Sequence, residues 1–254
     1  SPLGVAGDAE LIQQANYEEH MSLLGECDLV IEAIAERMDW KRDLYEKIAP
    51  HVAPHAILAS NTSGLSITAL SDALPEQLRH CFCGIHFFNP PRYMTLVELI
   101  PTPSTDAKVL DDLEEFATTA LGKGVVRAKD TPNFVANRIG VAGMMSTMKE
   151  AERFGLTFDV VDDLTGKRLG RASSGTFRTA DVVGLDTLAH VIKTMQDTLS
   201  ERTDPFYGSF GTPDVLKTLI EMGNLGQKTK AGFFKKVGRD IQRFDLSEGN
   251  YVPA

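Results

Sequence analysis

The sequence is short of the features that would tie the chain to an oxidising compartment, a membrane or a nucleic acid. Its three cysteines, Cys27, Cys81 and Cys83, are odd in number and sit in apolar runs. That usage points to reduced thiols rather than a disulfide framework. Basic residues are outnumbered, 26 against 35 acidic, and the net charge of −9 disfavours non-specific nucleic-acid binding. No apolar run approaches the length of a membrane span, and Ser1 opens no signal-peptide pattern. His51 and His55 have helical metal-ligand spacing, but Pro54 lies between them and no third ligand accompanies them, so no metal site is expected. Internal repeats and low-complexity tracts are also missing. A soluble, cytoplasmic protein is the expectation.

What is present suits an enzyme. An apolar fraction of 43% over 254 residues supports one large domain or two modest ones. Strand-like runs at 28–34, 56–60, 82–88, 96–100 and 124–128 alternate with helical patterns at 39–52, 67–74 and 106–121. That alternation argues for a largely parallel, doubly wound α/β sheet. Asp130-Thr131-Pro132 then reads as a helix start, a polar cap followed by proline. Helical patterns follow at 134–154, 159–169, 179–199 and 213–222, with 233–251 left as a terminal hairpin or irregular tail. The expected division is an α/β domain over 1–129 and an all-α domain over 130–254.

One segment carries chemistry. Gly84-Ile-His-Phe-Phe-Asn-Pro-Pro91 is followed by Leu96-Val-Glu-Leu-Ile100, so a histidine ends one apolar run and a glutamate lies inside the next. Pro90 and Pro91 cannot extend a central strand and place a bend between them. A symmetric hairpin centred near Arg92 would set His86 opposite Glu98. One ring nitrogen would then be held by a carboxylate and the other left to take a proton. From the spacing alone, a strand-end histidine bonded to backbone is the more ordinary reading.

Five segments, in this order, resemble the L-3-hydroxyacyl-CoA dehydrogenases of fatty-acid β-oxidation: Val30 to Glu36, Ser60-Asn-Thr-Ser63, Gly84 to Pro90, Leu96-Val-Glu98 and Lys129-Asp-Thr-Pro132. The similarity runs from about Asp28 to Lys236. Asn133, the loop Gly170 to Ser174 and the stretch Arg178 to Asp186 are more similar to large bacterial proteins that fuse this dehydrogenase to an enoyl-CoA hydratase. The resemblance implies a Rossmann-like domain followed by an all-helical one, and NAD-dependent oxidation of L-3-hydroxyacyl-CoA to 3-ketoacyl-CoA. It makes His86 the base and Glu98 its orienting carboxylate, with Ser63 and Asn137 on the substrate's 3-oxygen. For NAD it implies Glu36, Lys41, Ser63, Asn89 and Lys228; from the residues alone, the two lysines read as solvated charges. It implies a homodimer, or packing against other domains of a longer chain.

The same resemblance calls for a glycine-rich turn that opens the cofactor domain and holds the pyrophosphate at a helix N-terminus. No Gly-x-Gly-x-x-Gly occurs; Gly122-Lys-Gly124 lacks the third glycine and follows a helix. The chain as given is therefore expected to be an N-terminally truncated, impaired or inactive piece of a dehydrogenase. The alternative is a non-catalytic acyl-CoA-binding or dimerisation remnant of that fold.

Overall fold

The computed structural model describes residues 4–254 and divides into a unit ending at Val135 and a second unit over Ala136–Ala254. In the first unit, strands β1 (Leu29–Glu32), β2 (Ile57–Ser60), β3 (Phe82–Phe87), β4 (Leu96–Pro101) and β5 (Gly124–Arg127) form one sheet in that order. Pairs β1–β2, β2–β3 and β4–β5 are parallel, whereas β3–β4 is antiparallel. The sheet is mixed because the proline bend reverses the chain after β3 instead of sending it through a helix.

Helix α1 (Met38–Ile48) joins β1 to β2, and α2 (Ile67–Asp72) with the single turn α3 (Glu76–Arg79) joins β2 to β3. Helix α4 (Ala107–Glu115) precedes β5 and ends in one wider π-turn over Phe116–Ala120, where the sequence pattern reads as one continuous helix. Tyr45, Leu58, Ile67, Leu70, Phe82, Ile85 and Leu99 are fully buried in the core of this unit. Helix α2 lies so close to β3 that a β-carbon at Gly84 would fall 2.8 Å from Ile67 Cδ1 and 3.2 Å from Ile100 Cβ. Glycine at 84 therefore lets the helix seat on the strand that carries His86.

The first unit extends past Lys129, where the sequence reading places its boundary. Asp130 accepts from Ser66 Oγ at 2.7 Å and from the N–H groups of Ile67 and Thr68 at 3.0 and 2.8 Å. Those bonds tie the Asp-Thr-Pro motif to the start of α2, and the chain remains with the sheet until Val135.

In the second unit, α5 (Ala136–Arg153), α6 (Phe158–Thr165), α7 (Phe177–Val183), α8 (Leu185–Thr198) and α9 (Asp214–Glu221) pack around Ile192, Met195, Leu216, Phe233 and Phe244. The rings of Phe158, Phe177 and Phe233 meet at centroid distances of 4.4 to 5.2 Å. The pattern read as one helix over 179–199 is broken at Gly184, whose φ of +97° separates α7 from α8. The segment read as a hairpin or tail forms an antiparallel sheet of β6 (Phe234–Val237), β7 (Asp240–Asp245) and β8 (Asn250–Pro253). This helical unit thus carries a small sheet that an all-α reading omits. Only Phe244 among these strand residues is fully buried, so the alternation that marks a strand is weak there.

Asp181 on α7 joins that sheet to the helices, accepting from the Phe233 and Phe234 N–H groups at 2.8 and 2.9 Å. Gly226 and Gly232 close around it; a β-carbon at either would lie 2.3 Å from the Asp181 carbonyl oxygen or 2.0 Å from Oδ1. Burial pushes the Asp181 carboxyl up to about 6, with the Asp162 charge adding to the shift and the two N–H groups and Arg178 opposing it. Between about pH 4 and 6 the folded state retains a proton that the unfolded chain releases. Stability should therefore fall as pH rises through that window and level off above it. Relative to Asp181→Asn, the native protein should lose up to about 3 kcal/mol across the window, measured by urea unfolding at stepped pH. Parallel stability curves for the two proteins would contradict this account of the buried carboxyl.

Candidate active site

The register of β3 against β4 places His86 and Glu98 as direct cross-strand partners. Both are buried, and His86 Nδ1 lies 2.8 Å from Glu98 Oε2. A carboxylate only accepts, so Nδ1 carries the ring proton and Nε2 is left as an acceptor. Ser63 Oγ lies 3.1 Å from Nε2 and donates to it. The other Glu98 oxygen, Oε1, accepts from the Val135 N–H at 2.9 Å. The Phe88 and Phe134 rings stand 4.5 and 5.5 Å from the imidazole, centroid to centroid. The result is a chain from a carboxylate through an imidazole to an exposed hydroxyl.

Ser63 follows β2, and every residue leading to it is tied down. Ser60 Oγ donates to Glu32 Oε2 at 2.7 Å, and Asn61 Oδ1 accepts from the Phe87 N–H at 3.0 Å. Glu36 Oε1 accepts from Thr62 Oγ1 and from the N–H groups of Ser63, Gly64 and Leu65 at 3.0, 2.8 and 3.2 Å. Glu36 itself is exposed, on the segment that leaves β1.

Lys41 is not a solvated charge. Its ammonium is completely buried and bonds both oxygens of Glu32, at 2.6 and 2.8 Å. The Glu32 carboxylate also accepts from the Ile34 N–H at 2.7 Å and from Tyr45 Oη at 3.1 Å. Burial and the Glu32 charge push the Tyr45 hydroxyl up, which keeps it protonated as a donor. The physical reason for the correction is local. A carboxylate buried at the end of β1 needs a counter-ion, and α1 supplies one.

The remaining sequence candidates are spread more widely. Asn89 is exposed in the bend after β3. Asn137 is the second residue of α5 and half-buried, and Lys228 is exposed and paired with Asp186 at 2.5 Å; both belong to the second unit. The structure thus brings together Ser63, His86, Glu98 and Glu36 within one unit.

The sequence reading gave no role at the site to Asn133 and Phe134, whose backbones are left-handed with φ of 56° and 53°. That pair of conformations, costly for non-glycine residues, sets the Phe134 ring on His86 and the Val135 N–H on Glu98. Asparagine tolerates the left-handed region, which was the available signal at 133. Glu32 was also missed, although a lone charge inside Val30-Ile-Glu-Ala-Ile34 marks a buried partner.

The fold defines the class as an α/β domain with a strand-paired histidine and glutamate, followed by a helical unit, and comparison with known proteins gives the family. Residues 6–131 match the model of the 3-hydroxyacyl-CoA dehydrogenase NAD binding domain, and residues 134–236 match the C-terminal domain of the same family. A probable 3-hydroxyacyl-CoA dehydrogenase of Deinococcus radiodurans is 46% identical over 228 residues, covering 90% of this chain and 64% of that protein. The human mitochondrial hydroxyacyl-coenzyme A dehydrogenase is 38% identical over 222 residues, covering 87% of this chain and 68% of its own length. The crystal structure of M. tuberculosis FadB2 superposes with a TM-score of 0.75 at 35% identity, over 85% of this chain and 73% of that one. The chain belongs to the 3-hydroxyacyl-CoA dehydrogenase family, and its first unit is a Rossmann-like domain. It spans 64% of the Deinococcus protein and 31% of a probable 3-hydroxyacyl-CoA dehydrogenase of Bacillus subtilis.

The buried ion pair yields a stability test. Lys41→Met should cost about 3–5 kcal/mol, because it leaves Glu32 charged and buried without its partner. Adding Glu32→Gln should recover most of that loss. Urea unfolding of the single and double variants measures both, and a loss below about 1 kcal/mol for Lys41→Met would contradict the pairing.

Proposed function

We propose that the protein oxidises an L-3-hydroxyacyl thioester of coenzyme A to the 3-ketoacyl thioester, with NAD as electron acceptor, in fatty-acid β-oxidation. The observation that carries this reading is the His86–Glu98 pair with Nε2 turned to Ser63. A secondary alcohol must lose its hydroxyl proton as hydride leaves the same carbon. His86 Nε2 is the acceptor for that proton. Glu98 holds the ring in the required tautomer and opposes the charge of the imidazolium that forms, as the acidic member of a catalytic triad does. The Ser63 hydroxyl sits at Nε2 and is exposed, so a substrate 3-oxygen takes its place beside both groups. Its dipole stabilises negative charge on that oxygen without titrating.

The residues at the carboxyl ends of β2 and β3 fit the nicotinamide end of NAD. Ser63 and Asn89 are exposed there and supply neutral donors and acceptors, where parallel strands present ligands. Bound NAD supplies the hydride acceptor. The family resemblance adds Glu36 and Lys228 to the cofactor contacts and Asn137 to the substrate contacts. The burial of Lys41 argues against a direct cofactor role for it.

We further infer that the second unit is covered by a second copy of the chain or by a neighbouring domain. Large apolar side chains, among them Ile139, Phe154 and Phe206, are more than half exposed on it. The free thiols of Cys27, Cys81 and Cys83 support a reducing compartment such as the cytoplasm. Among the described residues, no helix is long and apolar enough to cross a membrane.

In a version of the chain that carries the family's glycine-rich turn, His86→Ala should lower kcat by about 10²–10⁴ in an assay with NAD and L-3-hydroxyacyl-CoA, since that is the usual worth of a positioned proton carrier. Glu98→Gln should lower kcat with little change in KM, because it removes charge opposed to a cation present only as the reaction proceeds. Retention of normal turnover by His86→Ala at all pH values would overturn the assignment.

A further inference from the structure

Two glutamates one helical turn apart in sequence leave β1 and grip the segment that carries Ser63 at both ends. Glu32 holds Ser60 at its start, and Glu36 holds Thr62 and the N–H groups of Ser63, Gly64 and Leu65 at its end. In between, Asn61 is tied to the Phe87 N–H of β3, one residue past His86. Each of these anchors is long-range in sequence, and none touches the imidazole. The Glu36 carboxylate directs one oxygen, Oε1, at all of its loop donors.

We propose that Glu36 is a positioning residue. Its carboxylate fixes the 62–65 loop so that Ser63 Oγ stands at the acceptor nitrogen of His86 before any ligand arrives. The inference rests on the reading of His86 as the base. It differs from that reading's family expectation, in which Glu36 meets the cofactor. Ser63 is exposed, and a loop residue at the surface samples several rotamers and backbone states unless it is held. A fan of three successive N–H groups on one carboxylate oxygen removes that freedom in the backbone, as a capping carboxylate does at a helix start. Removing the carboxylate frees the loop, and a displacement of about 1 Å at a reacting group costs on the order of 10² in rate. Glu32 secures the other end from below, where its ion pair with Lys41 is fully buried.

A double-variant cycle with Glu36→Ala and Ser63→Ala tests this, read as kcat and as KM for each substrate. If Glu36 acts through Ser63, Glu36→Ala should lower kcat by about 10- to 100-fold, and the double variant should be no slower than Ser63→Ala alone. KM for NAD should stay within about threefold, because positioning acts on the chemical step. Glu36→Gln keeps an acceptor oxygen for the same donors and should recover most of the rate. Amide hydrogen exchange at Ser63, Gly64 and Leu65 should quicken in Glu36→Ala and not in Glu36→Gln. Additive losses, or an effect of Glu36→Ala confined to KM for NAD, would overturn the proposal in favour of direct cofactor contact. Should His86→Ala keep its turnover, the proposed function fails instead, and the exchange data still decide whether Glu36 holds the loop.

Discussion

Pairing of β3 with β4 in one register governs the candidate site. Gly84 faces Ile100, Ile85 faces Leu99 and His86 faces Glu98. A slip of one residue would set His86 opposite Val97 or Leu99 and separate imidazole from carboxylate. The register is protected by burial on both sides, since Ile85, Val97, Leu99 and Ile100 are all fully buried. Helix α2, seated on Gly84, holds β3 from one side. The pair that does the proposed chemistry is therefore fixed by the same apolar contacts that hold the sheet together.

Around that pair the structure spends buried charge in two places with different purposes. Glu32 and Lys41 neutralise one another beneath the sheet's carboxyl ends, with Tyr45, Ser60 and the Ile34 N–H completing the carboxylate's shell. This pair joins α1 and β2 to β1 and is a structural junction. Glu98 is buried beside His86, with one oxygen on Nδ1 and the other on the Val135 N–H, and under the proposed function its charge faces the cation formed as the ring takes a proton. The contrast explains why one buried glutamate carries a permanent counter-ion and the other an imidazole.

The His86–Glu98 contact was legible in the sequence because everything that determines it is local. Two prolines mark the bend, and equal spacing on either side of Arg92 sets the register. The strands of the first sheet were legible for a similar reason, as short apolar runs between helical patterns. The break at Gly184 was not, because one glycine inside a helical pattern is tolerated as often as it interrupts. Strands β6 to β8 show weak alternation, since so few of their residues are buried. Lys41 was misread because its partner lies on another element, and a lysine on an amphipathic helix looks solvated until the neighbouring strand is placed. The grip of Glu36 on residues 62–65 is likewise invisible without the fold, spanning 26 to 29 positions.

The central claim is that His86 is held by Glu98 as the tautomer with its proton on Nδ1, leaving Nε2 to accept. Nitrogen-15 NMR of the imidazole side chain reads this directly at a pH where the ring is neutral. The account predicts a protonated Nδ1 and an unprotonated Nε2 for His86, with the pattern lost in Glu98→Ala. A proton resident on Nε2 in the native protein would contradict it.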